Sequence, residues 1–175
     1  MRTFRPAAPI GVLFAAVLVA MAAGAASRPS LLVLPLDMVD TSGETPPRVR
    51  EHEDRLKALD AYLSQTLADA GIYAIVDPAP IDAAIARARS AQPLADCNGC
   101  ERDLAGLVHA DRVLVGQIDK VSTLIGHLSL RIVDVATGRT VLSRTLDFRG
   151  DTDDAWRHAV RFQVRDLAQT APQQR

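Results

Sequence analysis

Leu31-Leu32-Val33-Leu34-Pro35-Leu36 is a continuous apolar run, and its reading decides the fold. A strand with one wet face alternates polar and apolar residues. A run with no polar face belongs to a strand buried on both sides, as in a sheet covered by helices. The run ends in Asp37 and the turn-rich Asp40-Thr41-Ser42-Gly43-Glu44, with Pro46-Pro47 just before a helix. From about Val49 to Ala70, Leu56, Leu59, Leu63 and Leu67 recur at helical spacing, with Tyr62 close to that face. Charged residues fill the rest, and Gly71 stops the helix. Ile72 to Val76 reads as a second short strand closed by Asp77-Pro78, and Ile81 to Arg89 as a short Ala-rich helix.

An irregular segment through Pro93, Cys97 and Cys100 leads to a short helix near Glu101 to Val108. Arg112 to Val121 is a third strand and Leu124 to Val135 a fourth, where Leu128, Leu130 and Ile132 alternate with Ser129 and Arg131. Ala136-Thr137-Gly138-Arg139 is a hairpin turn, and Val141 to Phe148 returns as a fifth strand. Asp151 or Thr152 caps a last helix, with Asp153 and Asp154 in its first turn. Trp156, Ala159, Val160, Val164 and Leu167 form its apolar stripe, and Gln169 onward reads as a frayed tail. The order β-α-β-α-α-β-β-β-α predicts the α/β class: a mixed five-stranded sheet flanked by helices, with a parallel pair first and antiparallel hairpins after it.

The N-terminus reads as a secretory signal over residues 1–26, followed by one domain over 27–175. Arg2 and Arg5 precede the apolar run Ile10 to Met21, and Ala23-Gly24-Ala25-Ala26 offers small residues for cleavage. The run is short for a spanning helix, which needs about 20 apolar residues. No Cys stands near the cleavage point, so the mature protein is expected free in the periplasm, neither acylated there nor stably inserted in the membrane. Loss of Arg2 and Arg5 takes the formal charge from −1 to −3, which argues against nucleic acid or an anionic membrane as bulk partner. Hydrophobic residues at 48% suffice for a core.

Ala110-Asp111-Arg112-Val113-Leu114-Val115-Gly116, Lys120-Val121-Ser122 and Asp134-Val135-Ala136-Thr137-Gly138-Arg139 resemble the central hairpins of an uncharacterised family of exported bacterial proteins. Arg149-Gly150-Asp151-Thr152-Asp153-Asp154-Ala155-Trp156-Arg157, with Val160 and Val164-Arg165, is similar to that family's C-terminal helix, and Asp40-Thr41-Ser42 to its first loop. More distantly the layout resembles the N-terminal domain of the Tol system's periplasmic protein. It is also similar to the cores of curli-secretion and penicillin-binding-protein-activator lipoproteins. The resemblance implies an envelope compartment and a binding role rather than catalysis.

Cys97-Asn98-Gly99-Cys100 is the sharpest local feature. In an exported chain the pair is expected to be oxidised, as a small staple. The alternative is a redox-active pair at a helix N-terminus, where the dipole lowers a thiolate pKa. Residues 91–96 lack the strand that normally precedes such a motif, and position 101 is Glu where covalent haem attachment needs His. A zinc site would draw on His52, His109, His127 or His158, none of which shows paired spacing, so no metal or other cofactor is expected.

Asp37, Asp40, Thr41 and Ser42 follow the first strand, at the carboxyl end where open α/β sheets bind ligands. They make a candidate ligand loop, although Asx-type turns use the same residues without function. On the last helix Arg157, Arg161 and Arg165 stand at i, i+4 and i+8 beside Trp156 and Phe162. They read either as a solvated face paired with Asp153, Asp154 and Asp166 or as an interface, where Arg and aromatics are enriched. No nucleophile elbow, phosphate loop, dinucleotide fingerprint or metalloprotease motif occurs, and no catalytic residue is singled out. The leading expectation is a non-enzymatic periplasmic interaction or accessory module with an envelope-protein partner. A thiol-redox or electron-transfer accessory using Cys97 and Cys100 is the alternative, and a small-ligand sensor a second one.

Overall fold

The computed structural model describes residues 28–170, so the signal read over residues 1–26 and the tail beyond Thr170 lie outside the described residues. The strands are β1 (Ser30–Val33), β2 (Asp37–Asp40), β3 (Ala74–Val76), β4 (Arg112–Lys120), β5 (Ile125–Asp134) and β6 (Thr140–Arg149). The helices are α1 (Pro46–Ala70), α2 (Asp82–Ala91), α3 (Cys100–Leu107) and α4 (Asp153–Thr170). One mixed sheet runs β3-β1-β4-β5-β6, with β1 parallel to β3 and β4, and with β4, β5 and β6 antiparallel.

The sheet has six strands rather than the expected five, because the segment from Asp37 to Asp40 is not a loop. It pairs in parallel with Gln117–Lys120 of β4, prolonging β1 along the same neighbour. Pro35 causes the break between β1 and β2, since it has no N–H to give to a ladder. The chain bulges there, and the Leu36 N–H donates instead to Asp60 Oδ1 at 2.8 Å. Leu36 turns under the sheet against Gly116, where a Cβ would lie 2.5 Å from the Leu36 Cδ2. A larger residue at 116 would force the two strands apart.

Both faces of β1 are buried, as its uninterrupted apolar run requires. Leu31 and Val33 join Leu56, Leu59, Leu63 and Leu67 of α1 and Trp156, Val160 and Val164 of α4. Leu32 and Leu34 join Ile85 of α2, Leu104 of α3 and Val113, Val115 and Val133 of the sheet. α1 and α4 thus cover one face and α2 and α3 half of the other. A fully buried Leu contributes about 1.5–3 kcal/mol, so the four α1 leucines alone fix that helix. Gly71 ends it in the left-handed region, at φ 67°. The half of the second face that no helix covers is polar, with Gln117, Ser129, Arg131, Ser143 and Thr145 around an open cleft of about 270 Å³.

Candidate functional site

His52 is a charged-type side chain in an apolar register. It stands four residues before Leu56 on the buried stripe of α1 and is 0% exposed. Its Nδ1 lies 3.1 Å from Asp40 Oδ2 and its Nε2 3.0 Å from Asp151 Oδ2. Around it, Lys120 Nζ donates to Glu44 Oε2 at 3.0 Å and to the Ser122 carbonyl at 3.1 Å. Arg55 donates to Asp151 Oδ1 and Asp153 Oδ1, each at 2.7 Å, and Arg48 to Asp151 Oδ2 at 3.0 Å. Trp156 closes the site from α4, its ring 6.2 Å from that of His52 and 5.3 Å from the Arg55 guanidinium carbon. Thr152, not Asp151, caps α4 by accepting the Ala155 N–H, which leaves Asp151 for the network.

Two acids of this network, Asp40 and Asp151, are held in the ionised form. Burial pushes Asp40 up, but the Ser42 hydroxyl and amide and the His52 ring outweigh it and hold the carboxyl below its usual range. Burial also pushes Asp151 up, and His52, Lys120 and Arg55 outweigh that in turn. Carboxyls lowered in this way stabilise the fold above the usual carboxylate range, and that stability is lost as pH falls through their lowered values. Asp40, Glu44 and His52 place three possible metal ligands within 4.8 Å of one another. Lys120 already brings a cation to Glu44, and both nitrogens of His52 face carboxylates. No ring nitrogen is left to take a proton from a substrate. The cluster is an ion-pair lock joining β2, α1, β4 and the β6–α4 connection.

Sequence reasoning missed this lock, although its signal is present. His52 occupies the inward stripe of α1, and Lys120 the inward register of β4 after Leu114, Gly116 and Ile118. A charge in an inward register implies a buried partner.

Asp37, Asp40, Thr41 and Ser42 do not converge on one cavity. Asp37 is buried toward α2, accepting the Ala95 N–H at 2.8 Å with Arg89 at 3.3 Å. Asp40 turns toward α1 and accepts the Ser42 N–H at 2.9 Å in an Asx turn. The Thr41 N–H donates to the Lys120 carbonyl at 2.9 Å. The crevice at the carboxyl ends of β1 and β3 is instead a cavity of about 210 Å³ between α1 and α2, with Asp60, Ser64 and Asp82 in its wall. There burial pushes the Asp60 carboxyl up to about 6, against the pull of the Leu36 amide and Arg89. A carboxyl raised on folding favours the folded state at low pH, and the benefit is lost as pH rises from about 4 through about 6. Asp60→Asn keeps an oxygen for the Leu36 N–H. It is expected to stabilise the protein by about 1–3 kcal/mol at pH 7 and hardly at all at pH 4, in urea titrations at the two values.

Cys97 and Cys100 form a disulfide whose Cα atoms are 5.7 Å apart. Cys97 is buried, and Glu101, also buried, accepts the Gly99 N–H at 2.9 Å, tying the link to the start of α3. So short a loop restricts the unfolded chain little. Replacing both cysteines by serine is expected to leave the fold intact and cost about 1–3 kcal/mol by thermal unfolding.

On α4, Trp156 is fully buried, while Arg161 and Arg165 are exposed and Arg157 half-buried at the border. The arginines do not pair with the acids that the sequence offers. Asp153 is bound to Arg55, and Asp166 lies 3.3 Å from Arg144. Among the described residues Arg157, Arg161 and Arg165 form no ion pair. They are held by aromatic rings instead: Arg157 lies 5.6 Å over Tyr62, Arg161 donates to Tyr62 Oη at 3.1 Å, and Arg165 lies 5.8 Å over Phe162. The result is a row of oriented guanidinium groups whose charges are not spent internally, with Phe162 46% exposed among them.

Residues 29–167 match the DUF3280 family, described as "Protein of unknown function (DUF2380)". The hairpins and the C-terminal helix that carry the resemblance in the sequence fall inside that match. No curated protein matches the chain. Among solved structures, the chain is similar to the E. coli LpoB structure determined by NMR, with 16% identity over 71% of this chain and 59% of that one, at a TM-score of 0.53. It is similar to the lipoprotein GNA1162 from Neisseria meningitidis, with 15% identity over 81% and 99% and a TM-score of 0.52. A point variant of the PelC dodecamer from Paraburkholderia phytofirmans follows, with 16% identity over 82% and 90% and a TM-score of 0.50. At these identities the likeness shows the fold.

Proposed function

We propose that this chain, which belongs to the DUF3280 family, is a non-enzymatic accessory module of the cell envelope that docks a protein partner through the arginine face of α4. The observation that carries this reading is the set of three guanidinium groups, two over aromatic rings and one on the Tyr62 hydroxyl, without carboxylate partners among the described residues. Arg and aromatic side chains dominate interface energetics, and cations held in place lose less entropy when a partner arrives. The buried cluster around His52 supports the non-enzymatic part, since its polar atoms are engaged with one another. Export rests on the pattern from Arg2 to Ala26. Among the described residues no helix is long and apolar enough to cross a membrane.

The test replaces Arg157, Arg161 and Arg165 together with serine. Two exposed arginines and one at the border of the buried face, none in an ion pair among the described residues, contribute little to stability, so the variant should melt within a few degrees of the parent. It should also lose the envelope protein that co-purifies with the parent. A folded variant that retains this partner would refute the docking surface.

A further inference from the structure

Building on the docking reading above, we infer that the partner presents an acidic amphipathic helix, received in the groove between α1 and α4. The groove has a volume of about 440 Å³ and is walled by Thr66, Asp69 and Ala70 of α1 and by Arg161, Val164 and Arg165 of α4. Most of its lining is apolar, so it takes an aliphatic side chain, while the two guanidinium groups stand on its α4 side. Its one acid among the described lining, Asp69, accepts from Gln65 at 2.8 Å and keeps its charge, so two guanidinium groups stand against one carboxylate. His158 adds a further nitrogen at the rim.

Spacing fixes the form of the occupant. Arg161 and Arg165 are one helical turn apart, about 6 Å along the axis. Carboxylates at i and i+4 of a partner helix have the same separation, and a Leu at i+3 lies beside them on one face. On an extended segment the side chains that share a face lie in a single row about 7 Å apart, so an apolar anchor enters beyond the two acids rather than beside them. An acidic helix laid along the groove satisfies both the cations and the apolar floor. A membrane surface satisfies them poorly, because the mature chain carries a formal charge of −3.

The experiment uses the mature full chain and a fluorescein-labelled 18-residue helical peptide with Glu at i and i+4 and Leu at i+3 and i+7. A counterpart with every Glu changed to Gln is the control, and vesicles of phosphatidylglycerol and phosphatidylcholine test the lipid alternative. Anisotropy should show binding of the Glu peptide at least about tenfold tighter than the Gln peptide, weakening as salt rises. The double variant R161E/R165E, shown folded by circular dichroism, should abolish that preference. Equal binding of both peptides, undiminished binding to the folded variant, or preference for the vesicles would overturn the inference. If the Glu peptide fails while the triple serine variant still loses its envelope partner, the partner chemistry is wrong and the docking surface stands.

Discussion

Trp156→Ala is expected to destabilise the protein by about 3–5 kcal/mol, the largest effect of any single truncation on α4. The indole is 0% exposed and packs edge-on to Phe148, its centroid 6.0 Å away, while its other neighbours are His52 and Arg55. Truncation therefore opens a cavity against the sheet and leaves the ion-pair lock without its apolar lid. The melting temperature should fall by on the order of 10–20 °C for a domain of this size. Trp156→Phe is the control. The indole Nε1 is buried with no hydrogen-bond partner among the described residues, so Phe gives up no bond. It should cost less than about 1.5 kcal/mol, and an equal loss in both variants would show that the ring is not packed as described.

The second large effect is Asp151→Ala, at about 3–5 kcal/mol. Asp151 alone touches His52, Arg48, Arg55 and Lys120, the last at 3.5 Å. Its removal takes one of two anions from Lys120, which is 2% exposed, in a place water hardly reaches. Breaking one side of a buried pair costs more than the pair contributes, because the remaining charge is stranded. Lys120→Met in the Asp151→Ala background should therefore recover part of the loss. Strict additivity in chemical denaturation would contradict the buried lock. The parent should also lose stability below about pH 4, as Asp40 and Asp151 take up protons through their lowered values.

The sequence was most readable where periodicity is enforced by burial. Leu31 to Leu36 specified a strand covered on both faces, and Leu56, Leu59, Leu63 and Leu67 specified the helix above it. The third to fifth strands and the turn before Thr140 follow from alternation and turn chemistry. The additional strand, β2, was not legible. Asp37 to Asp40 carries turn-forming acids, and only the tertiary partners of those acids, Ala95 and His52, let them sit in a sheet. The arginine stripe was legible as a stripe, but whether its charges were spent depended on distant residues. Arg55 and Arg144 claim Asp153 and Asp166, and Tyr62 lies 99 positions from Arg161. The His52 lock is closed by contacts between residues up to 103 positions apart, so no local pattern could assemble it.

Photo-crosslinking in living cells tests the central claim most directly. A benzophenone amino acid at Phe162, 46% exposed between Arg161 and Arg165, sits on the proposed docking face. The same probe at Thr145 sits on the uncovered polar face of the sheet, another surface open to a partner. The account predicts one dominant protein adduct from position 162, none from position 145, and loss of the 162 adduct when Arg161 and Arg165 are changed to glutamate. An adduct from position 145 with none from 162 would place the partner on the sheet and contradict the account.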